Sequence, residues 1–450
     1  MRLLRFLAFA ILASLFCHSA AAKTEVDVPT AKRLALLLAE NRQPRAARLI
    51  AIELLKRYPD DPEILTALSI AERGLGNFEA ATRAGRQGYK AAQTGMKKFV
   101  AARATAQALA SAGRHTLAQL WLRRAAHHAP NQQAKSSIRR DYSYVRSRNP
   151  WNFAFSGSVA PTDNANDAPT SNEIIIGGLF FSDPTALPIP GTQLTFSAQA
   201  SYRLPATEHH HSQFSLSYYA RRVSLGREAK TIDPTLRNHD FSADRVSLGW
   251  SARFRFGGIT GILDTNARLF SDWNAGQHSQ IGQLLTAGYT LPISKDQTVR
   301  FGAELENLNR IDRPIRSSLT KRLQLNWMKS LRNRDRVGLS ITLSDTDSQS
   351  FAVAHKSAKV SAQYNFGKPL LALRLGAIAE ASTVVFDTPL YSSERRRDQF
   401  VSVGLTATIP DLSFFGFEPV IELRHERNIS NVSRFDTRST AIGLSIKSSY

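Results

Sequence analysis

The 450-residue sequence has almost no cysteine: Cys17 is the only one, and it lies close to the start of the chain. The first 22 residues comprise a basic start, "MRLLR", an apolar run from Phe6 to Phe16 and three closing alanines. This order is typical of a secretory signal peptide, so we expect residues 1–22 to be a signal that is removed. The mature chain would then have no thiol, which excludes disulfides, thiol catalysis and thiolate metal sites.

Long apolar runs are also lacking. The apolar run of the signal is too short to span a bilayer as a helix. No later segment provides the roughly 20 apolar residues that such a helix requires. The sequence therefore excludes a protein anchored by membrane-spanning helices.

Acidic residues are scarce between Lys23 and Pro150, where there are 23 basic and 10 acidic residues. From Trp151 to Tyr450 the counts are 33 and 27, so much of the net charge of +21 lies in the first third of the chain. A basic domain in a cytoplasmic protein would indicate nucleic acid. In an exported protein it favours an acidic protein client or an anionic envelope surface, and we expect no nucleic acid partner.

Residues 29 to about 140 show apolar residues at helical spacing and are rich in Ala, Leu and Arg. Aligning Ala46-Ala47 with Ala80-Ala81 gives a repeat of 34 residues, and the step to Leu117-Ala118 is 37. This pattern is like the tetratricopeptide repeat, whose stacked units form a concave binding face. The alternative is a plain helical bundle. The basic pairs in this region are a solvated face or weak candidates for client contact: Arg123, Arg124, Arg139 and Arg140.

From Trp151 onward the apolar period changes from helical to two. In Val401–Ile409, for example, apolar side chains alternate with Ser, Gly and Thr. Such segments, about ten residues long, are typical of a membrane β-barrel, although a soluble sandwich alternates as well. About 14 of them can be placed, starting near residues 151, 191, 211, 240, 258, 279, 297, 318, 335, 352, 369, 398, 416 and 436.

The connections between these segments favour the barrel. Long polar stretches such as "GREAKTIDPTLRNHD" and "SDWNAGQHS" alternate with short ones such as "PISKD" and "GKP". Strict alternation is expected of an outer-membrane barrel, which has short periplasmic turns and longer outer loops. We therefore expect an α+β protein of two domains. Residues 23–148 would form a periplasmic tetratricopeptide-like helical array, and residues 149–450 a transmembrane antiparallel β-barrel of about 14 strands.

No constellation of an active site is evident. His209-His210-His211 is the one dense group of potential metal ligands, and a solvated loop is its better interpretation because no carboxylate cluster lies near it. The polar face of the strands is made of Ser, Thr, Gln, Gly and Arg, without paired carboxylates or a nucleophile beside a base. We expect no catalytic residue, cofactor or metal, and a protein that is not an enzyme.

The order of parts resembles the surface lipoprotein assembly modifiers (Slam) over nearly the whole mature chain. The most specific residues are Trp151, Ser156 and Asn164-Ala165-Asn166 at the barrel start, and "FFGFEPVIELRHERNISNVSRFDTRSTAIGLSI" near the end, with Glu418-Pro419, Ser430-Asn431 and Phe435. The resemblance implies an outer-membrane translocation factor of Gram-negative bacteria. Its client would be a lipoprotein or a secreted hemophore-like protein, and its helical domain would engage the client or a periplasmic chaperone.

Two rival functions belong to other classes. Repeat-plus-barrel chains also export polysaccharide, and a barrel can be a simple diffusion porin. Polysaccharide exporters usually carry a longer repeat array, and general porins lack one. A lumen lined with many acidic or aromatic residues would favour a sugar, whereas the polar face of the predicted strands is mild and slightly basic.

The last strand is expected to close the barrel. In "AIGLSIKSSY", apolar side chains alternate with small and polar ones up to the end of the sequence, where Tyr450 would anchor at the periplasmic interface. The barrel-assembly machinery and outer-membrane lipid are the partners expected of such a strand. We expect it to pair with the first strand at a seam formed by Trp151, Phe153, Phe155, Ile442, Leu444, Ile446 and Tyr450.

Overall fold

The structure is a computed structural model that describes residues 26–166, 168–170, 173–176, 179–182, 187–232, 234–258, 260–389 and 393–448. The predicted signal peptide and Tyr450 lie outside these residues. The chain divides into two compact units, a helical one up to Ile138 and a second one from Arg139. The division falls inside the last long helix. Each unit is described by itself.

The helical unit is an array of antiparallel helices. Prolines occupy the first turn of the first three, where a missing N–H costs nothing. The Asp61 side chain caps the third helix by accepting hydrogen bonds from two backbone N–H groups. The helices are α1 (Val28–Glu40), α2 (Pro44–Arg57), α3 (Pro62–Gly74), α4 (Phe78–Ala91), α5 (Gly95–Ser111), α6 (His115–His127) and α7 (Gln132–Arg148), the last of which continues past the division.

The helices pack in the order of the predicted repeat. From α1 to α6 each helix packs on the next in sequence, and α1, α3 and α5 also pack side by side. The second helices of the three pairs begin at Pro44, Phe78 and His115, which are 34 and 37 residues apart. Near the start of each lies a fully buried alanine, Ala47, Ala81 or Ala118, where a small side chain lets two helices approach closely. The interior of this unit is accordingly rich in alanine.

The turns within the helix pairs are equivalent as well. Gly76 has φ +83° and Gly113 has φ +74°, a left-handed conformation that glycine adopts without cost. In the first pair the same turn is made by Arg42, at φ +61°. A left-handed backbone costs a non-glycine residue about 1–2 kcal/mol. The first turn is therefore strained where the other two are not.

Gly85 of α4 marks the tightest approach between helices α3, α4 and α5. A Cβ atom at Gly85 would lie 2.4 Å from Thr105 Oγ1 and 2.9 Å from Ser69 Oγ. Both hydroxyls are held in place by hydrogen bonds to backbone carbonyls.

We expect Gly85→Val to lower the free energy of unfolding of the helical unit by about 1–3 kcal/mol, because the side chain overfills this space. Thermal loss of helical circular dichroism at 222 nm in the detergent-solubilised chain measures the change. Gly95→Val is the matched control, since nothing lies within 4 Å of a Cβ at Gly95. Equal melting of the two variants would contradict the packing described here.

The second unit is a closed antiparallel barrel of fourteen strands, as the alternation predicts. Each strand pairs with its neighbours in sequence, and β1 pairs with β16 to close the ring. Two further strands, β2 (Glu173–Ile176) and β3 (Leu179–Ser182), form a separate hairpin between β1 and β4. The barrel strands are β1 (Trp151–Thr162), β4 (Gly191–Arg203), β5 (His210–Leu225), β6 (Ala243–Phe254), β7 (Ile262–Asn274), β8 (Gln277–Pro292), β9 (Gln297–Arg310), β10 (Ser318–Ser330), β11 (Arg336–Ser348), β12 (His355–Asn365), β13 (Arg374–Pro389), β14 (Arg395–Thr408), β15 (Phe417–Ser430) and β16 (Thr437–Ser448).

With an even number of strands, β1 begins and β16 ends at the same end of the barrel, here called the terminal rim; the opposite end is the far rim. The predicted strict alternation of long and short connections is wrong. On the far rim only two connections are long, 163–190 and 226–242, and the latter contains a short helix, α8 (Arg227–Ile232). The stretch "SDWNAGQHS" is mostly strand, and Ala275-Gly276 alone joins β7 to β8. On the terminal rim, the connection around "GKP" has eight residues, 366–373, rather than three.

The outward face of the barrel is apolar. Large side chains of one parity are exposed along each strand, for instance Leu216 on β5, Leu269 on β7 and Leu323 on β10, with exposed fractions of 55%, 55% and 64%. Such a continuous apolar outer surface is unfavourable in water and is matched by the hydrocarbon of a bilayer. Because the sheet is closed, no open edge is left to face lipid along most of its circumference. No helix in the described part of the chain is long and apolar enough to span a membrane.

Candidate functional site

Among the residues that the structure describes, the seam between β1 and β16 has the fewest strand pairs of any junction in the barrel. On its other side, β1 pairs with β4 at all twelve of its residues. With β16 it forms four pairs, between Gly157–Thr162 and Ala441–Ile446. The other strand pairs of the barrel comprise 11 to 13 residue pairs each. The barrel is therefore closed by a short ladder.

The unpaired part of the seam lies at the terminal rim. Lys447 and Ser448 of β16 pair with β15 but not with β1, although the register of the seam places them opposite Ser156 and Phe155. Within the described residues, β1 from Trp151 to Ser156 is thus bonded to β4 alone. A strand edge of this kind presents backbone N–H and C=O groups that another strand can pair with.

An aromatic cluster surrounds this open edge on the lipid side. Trp151 stacks on Phe153, with ring centroids 6.0 Å apart, and meets Tyr202 of β4 edge-to-face at 4.9 Å. Tryptophan and tyrosine concentrate at the bilayer interface because one end of the side chain is apolar and the other polar. Tyr450 is outside the described residues, and the other seam residues named from the sequence point outward, with exposed fractions of 45–58%: Trp151, Phe153, Phe155, Ile442, Leu444 and Ile446.

Most of the lumen wall is cross-linked by ion pairs. Arg245 of β6 makes two hydrogen bonds to Asp272 of β7, at 2.6 and 2.7 Å. Arg300 pairs with Asp264 across two strands at 2.6 Å. Glu380 of β13 receives both Lys359 from β12 and Arg424 from β15, and further pairs join Arg322 to Glu304 and Glu306, and Arg374 to Glu418. Each pair neutralises charge that would otherwise stand alone in the passage.

Around the seam, hydroxyl contacts rather than ion pairs join the described strands of the lumen wall. Its lumen side is lined by hydroxyl pairs, such as Ser156 with Ser197 at 2.7 Å and Ser158 with Thr195 at 2.6 Å. Among the residues that the structure describes, no ion pair joins β1 to β4 or to β16. Neutral hydroxyl contacts hold strands together less strongly than charge-assisted ones.

At the far rim, Asn164 and Asn166, two of the residues on which the family resemblance rests, form hydrogen bonds that hold the loop after β1 in place. The buried side chain of Asn164 donates to the carbonyls of Ala168 and of Arg438, at 2.8 and 3.2 Å. This joins the long loop after β1 to the start of β16. Asn166 accepts a hydrogen bond from the Ile189 N–H at 2.9 Å, which closes the base of the same loop.

Arg396 of β14 is at the centre of a second cluster of side-chain contacts at the far rim. Its guanidinium lies over the rings of Phe386 and Phe435, 4.2 and 3.2 Å from the centroids, and it pairs with Asp398. Asp398 also accepts a hydrogen bond from Ser430 at 2.7 Å. The far end of the barrel wall is thereby fixed, in contrast with the open seam at the terminal rim.

The helical unit contains a cavity that the sequence did not reveal. It has a volume of about 680 Å³ and is lined by α1, α3, α5 and the turn after α1. Three arginines from separate elements, Arg42, Arg73 and Arg103, line it together with apolar Ile70 and Phe99. The only hint in the sequence was the repeat itself, because stacked repeats present their first helices on one concave face.

The basic pairs named from the sequence lie elsewhere. Arg123 and Arg124 are on α6, where Arg124 stacks over Trp121 at 4.4 Å, and neither lines the cavity. Arg139 and Arg140 are exposed on α7 in the second unit. A client contact at these four residues stays a prediction.

The His209–His211 stretch lies at the start of β5. His210 stacks on Phe254 with ring centroids 4.9 Å apart. Within the described part of the chain, no group of three or more His, Cys, Asp or Glu side chains is arranged to hold a metal ion.

No model of a known protein family matches the sequence, and no curated protein matches it. Solved structures do resemble it over the barrel. An outer membrane channel from Pseudomonas putida F1 is 11% identical, with 65% of this chain and 95% of that chain covered and a TM-score of 0.32. OmpT, an outer membrane protein of Vibrio cholerae, is 8% identical over 66% and 99% of the two chains, with a TM-score of 0.35. OccAB3 of Acinetobacter baumannii is 9% identical over 65% and 98%, also at 0.35.

Likenesses this distant carry no information about cargo. The strand pairing and the apolar outer surface decide the class. The fold is that of an outer-membrane β-barrel. In this chain a helical array precedes the barrel, and the described residues pair the seam over only part of its length.

Proposed function

We propose that this chain is an outer-membrane translocation factor that moves a protein client from the periplasm to the cell surface. The client is a lipoprotein or a secreted hemophore-like protein, in line with the resemblance to the Slam family. The chain acts as a scaffold and passage, without a catalytic step. The observation that carries the proposal is the seam of β1 and β16, which is bonded over only part of its length.

A partly unpaired seam suits a polypeptide cargo. An extended client segment can pair with the edge of β1 from Trp151 to Ser156, which no described residue of β16 pairs with, because strand addition satisfies backbone groups on both chains. A diffusion porin has no use for such an edge, since a small solute passes along the lumen. The same holds for an exported polysaccharide, which has no peptide backbone to pair.

The helical unit is proposed to lie in the periplasm. It precedes β1, which begins at the terminal rim, and in outer-membrane barrels with an even number of strands both chain ends are periplasmic. In that position it meets the client, or a chaperone that escorts the client, before the barrel does. The surplus of basic residues between Lys23 and Pro150 supports an acidic partner.

Deletion of the gene tests the proposal in cells that also produce a client encoded nearby. We expect the client to accumulate in the periplasm, where protease added to intact cells cannot reach it. Digestion after the outer membrane is permeabilised is the control for client abundance. Unchanged surface exposure of every neighbouring secreted or lipidated protein would overturn the proposal, and loss of a surface polysaccharide instead would favour the polysaccharide exporter.

A further inference from the structure

We propose that the cavity lined by Arg42, Arg73 and Arg103 is a binding site for carboxylate groups of an acidic protein segment. The inference rests on the proposed function in one respect, which is that the partner is a protein. It adds to that function a defined site and the chemistry that the site recognises.

The lining of the cavity is strongly basic. The cavity is lined by three arginines and a single acidic residue, Glu40, whose side chain is exposed. Guanidinium groups form paired hydrogen bonds with carboxylates, and several in one concave site favour an anionic ligand. The arginines come from three elements, so the arrangement exists only in the folded array.

Arg73 has a buried donor that the protein itself leaves unsatisfied. Its Nε atom is buried and has no hydrogen-bond partner. The acidic residue beside it, Glu72, is already engaged by Arg48 Nε and by Asn77 Nδ2, each at 2.7 Å. Burial lowers the pKa of Arg73, but a guanidinium stays charged at neutral pH. A buried donor without a partner is unfavourable, and a ligand carboxylate would satisfy it.

The backbone of Arg42 has a left-handed conformation that is unfavourable for a residue other than glycine. The equivalent turns of the other two helix pairs use Gly76 and Gly113 in the same left-handed conformation. Arg42 adopts it at a cost that glycine would avoid. Backbone strain of this kind is concentrated at functional positions. Arg42 lines the cavity, which is consistent with a binding role for its side chain.

The apolar part of the lining sets the size and type of the ligand. Ile70 and Phe99 line the cavity beside the arginines. A volume of about 680 Å³ accommodates a few residues of an extended chain rather than a single ion. We therefore assign a peptide segment in which carboxylates accompany apolar side chains, carried by the client or by its chaperone.

The test uses the full chain in detergent and a fluorescent peptide that is rich in Glu and Leu and has a free C-terminus. Fluorescence anisotropy measures the Kd. We expect Arg73→Gln to weaken binding about tenfold or more, since a charge-assisted hydrogen bond to a buried group is lost. Arg33→Gln, which removes the same charge from an exposed position on α1 outside the cavity, is the matched control and should leave the Kd unchanged.

Arg42→Gly separates binding from folding. Because glycine relieves the left-handed turn, we expect the helical unit to melt at the same or a higher temperature while the peptide binds more weakly. A purely structural role of Arg42 would not produce these opposite changes. This variant also keeps the test decisive if Arg73→Gln fails to fold.

Two altered peptides identify the source of the carboxylate. Replacing Glu by Gln should abolish binding if side-chain carboxylates are recognised, whereas C-terminal amidation should do so if the chain end is recognised. Equal binding of all three peptides to the unaltered chain would overturn the assignment. An unchanged Kd of the original peptide for both Arg73→Gln and Arg42→Gly would overturn it as well. Because this assay does not involve transport, it can fail while the client still reaches the cell surface, and the reverse is equally possible.

Discussion

A disulfide between Ser158→Cys and Ser445→Cys is expected to stop export of the client. These residues face each other across the seam of β1 and β16, in the part that is paired. Directly opposed residues of antiparallel strands have Cβ atoms about 4.5–5.5 Å apart, which a small adjustment brings within disulfide range. If the seam must part for a client to pass, the covalent link should reduce surface exposure nearly to the level of the deletion strain, and reductant should restore it.

The chain is well suited to this experiment. Its only cysteine, Cys17, lies in the predicted signal peptide, so the engineered pair would be the only thiols of the mature protein. The matched control is a disulfide between Gln324→Cys and Thr342→Cys, which face each other across β10 and β11. Protease accessibility of the client on intact cells is measured for both variants, with and without oxidant. Full export through the oxidised seam variant would refute lateral opening and leave the lumen as the only route.

Removal of residues 23–138 is expected to abolish transport while the barrel still folds. The cut follows the boundary between the two units, and it retains Ser147 and Asn149, whose carbonyls accept hydrogen bonds from Arg203 of β4. The strands contain the pairing that an outer-membrane barrel needs, so the shortened chain should still insert. Its mobility on gels should shift on heating, as expected of a closed barrel, whereas the client should remain inside the cell.

The helical unit supplied separately to the periplasm provides the control for this deletion. Partial recovery of export would indicate a unit that only delivers the client. No recovery would indicate that it has to be joined to the barrel. A shortened chain that transports normally would contradict the proposed role of the helical unit, and one without heat-modifiable mobility would contradict the division into two independently folding units.

The strands could be predicted because each carries its own signal. Alternation of side chains depends only on which face meets lipid, so it is visible locally, and most of the fourteen predicted starts lie within a few residues of the observed ones. The connections could not be predicted as well. In "SDWNAGQHS" the polar composition suggested a loop, yet Ala275 and Gly276 both have positive φ and make a two-residue hairpin turn. Strands that extend beyond the bilayer are polar, and composition alone does not distinguish them from loops.

The candidate sites could be located fully only once the fold was known. Pairing of the last strand with the first follows from closure, which an alternating pattern implies, and so this pairing could be predicted. The length of the ladder at the seam depends on register, which the sequence does not display. The arginine cavity was hidden for another reason. Arg42, Arg73 and Arg103 are about 30 residues apart in sequence and meet only because α1, α3 and α5 stack. Adjacent pairs such as Arg123-Arg124 are more visible in a sequence but do not line that cavity.

The uneven bonding of the barrel wall has a mechanical consequence. Among the described residues, ion pairs bridge the wall from β6 to β10 and from β12 to β15, whereas β16, β1 and β4 are joined by backbone ladders and neutral hydroxyl contacts, and β1 meets β16 in the shortest ladder. The seam combines the shortest ladder with the lack of any described ion pair across it, so it is the junction of the wall that parts most easily. The direction in which the wall yields is therefore set by the barrel itself, so that clients of different sequence would leave it on the same side.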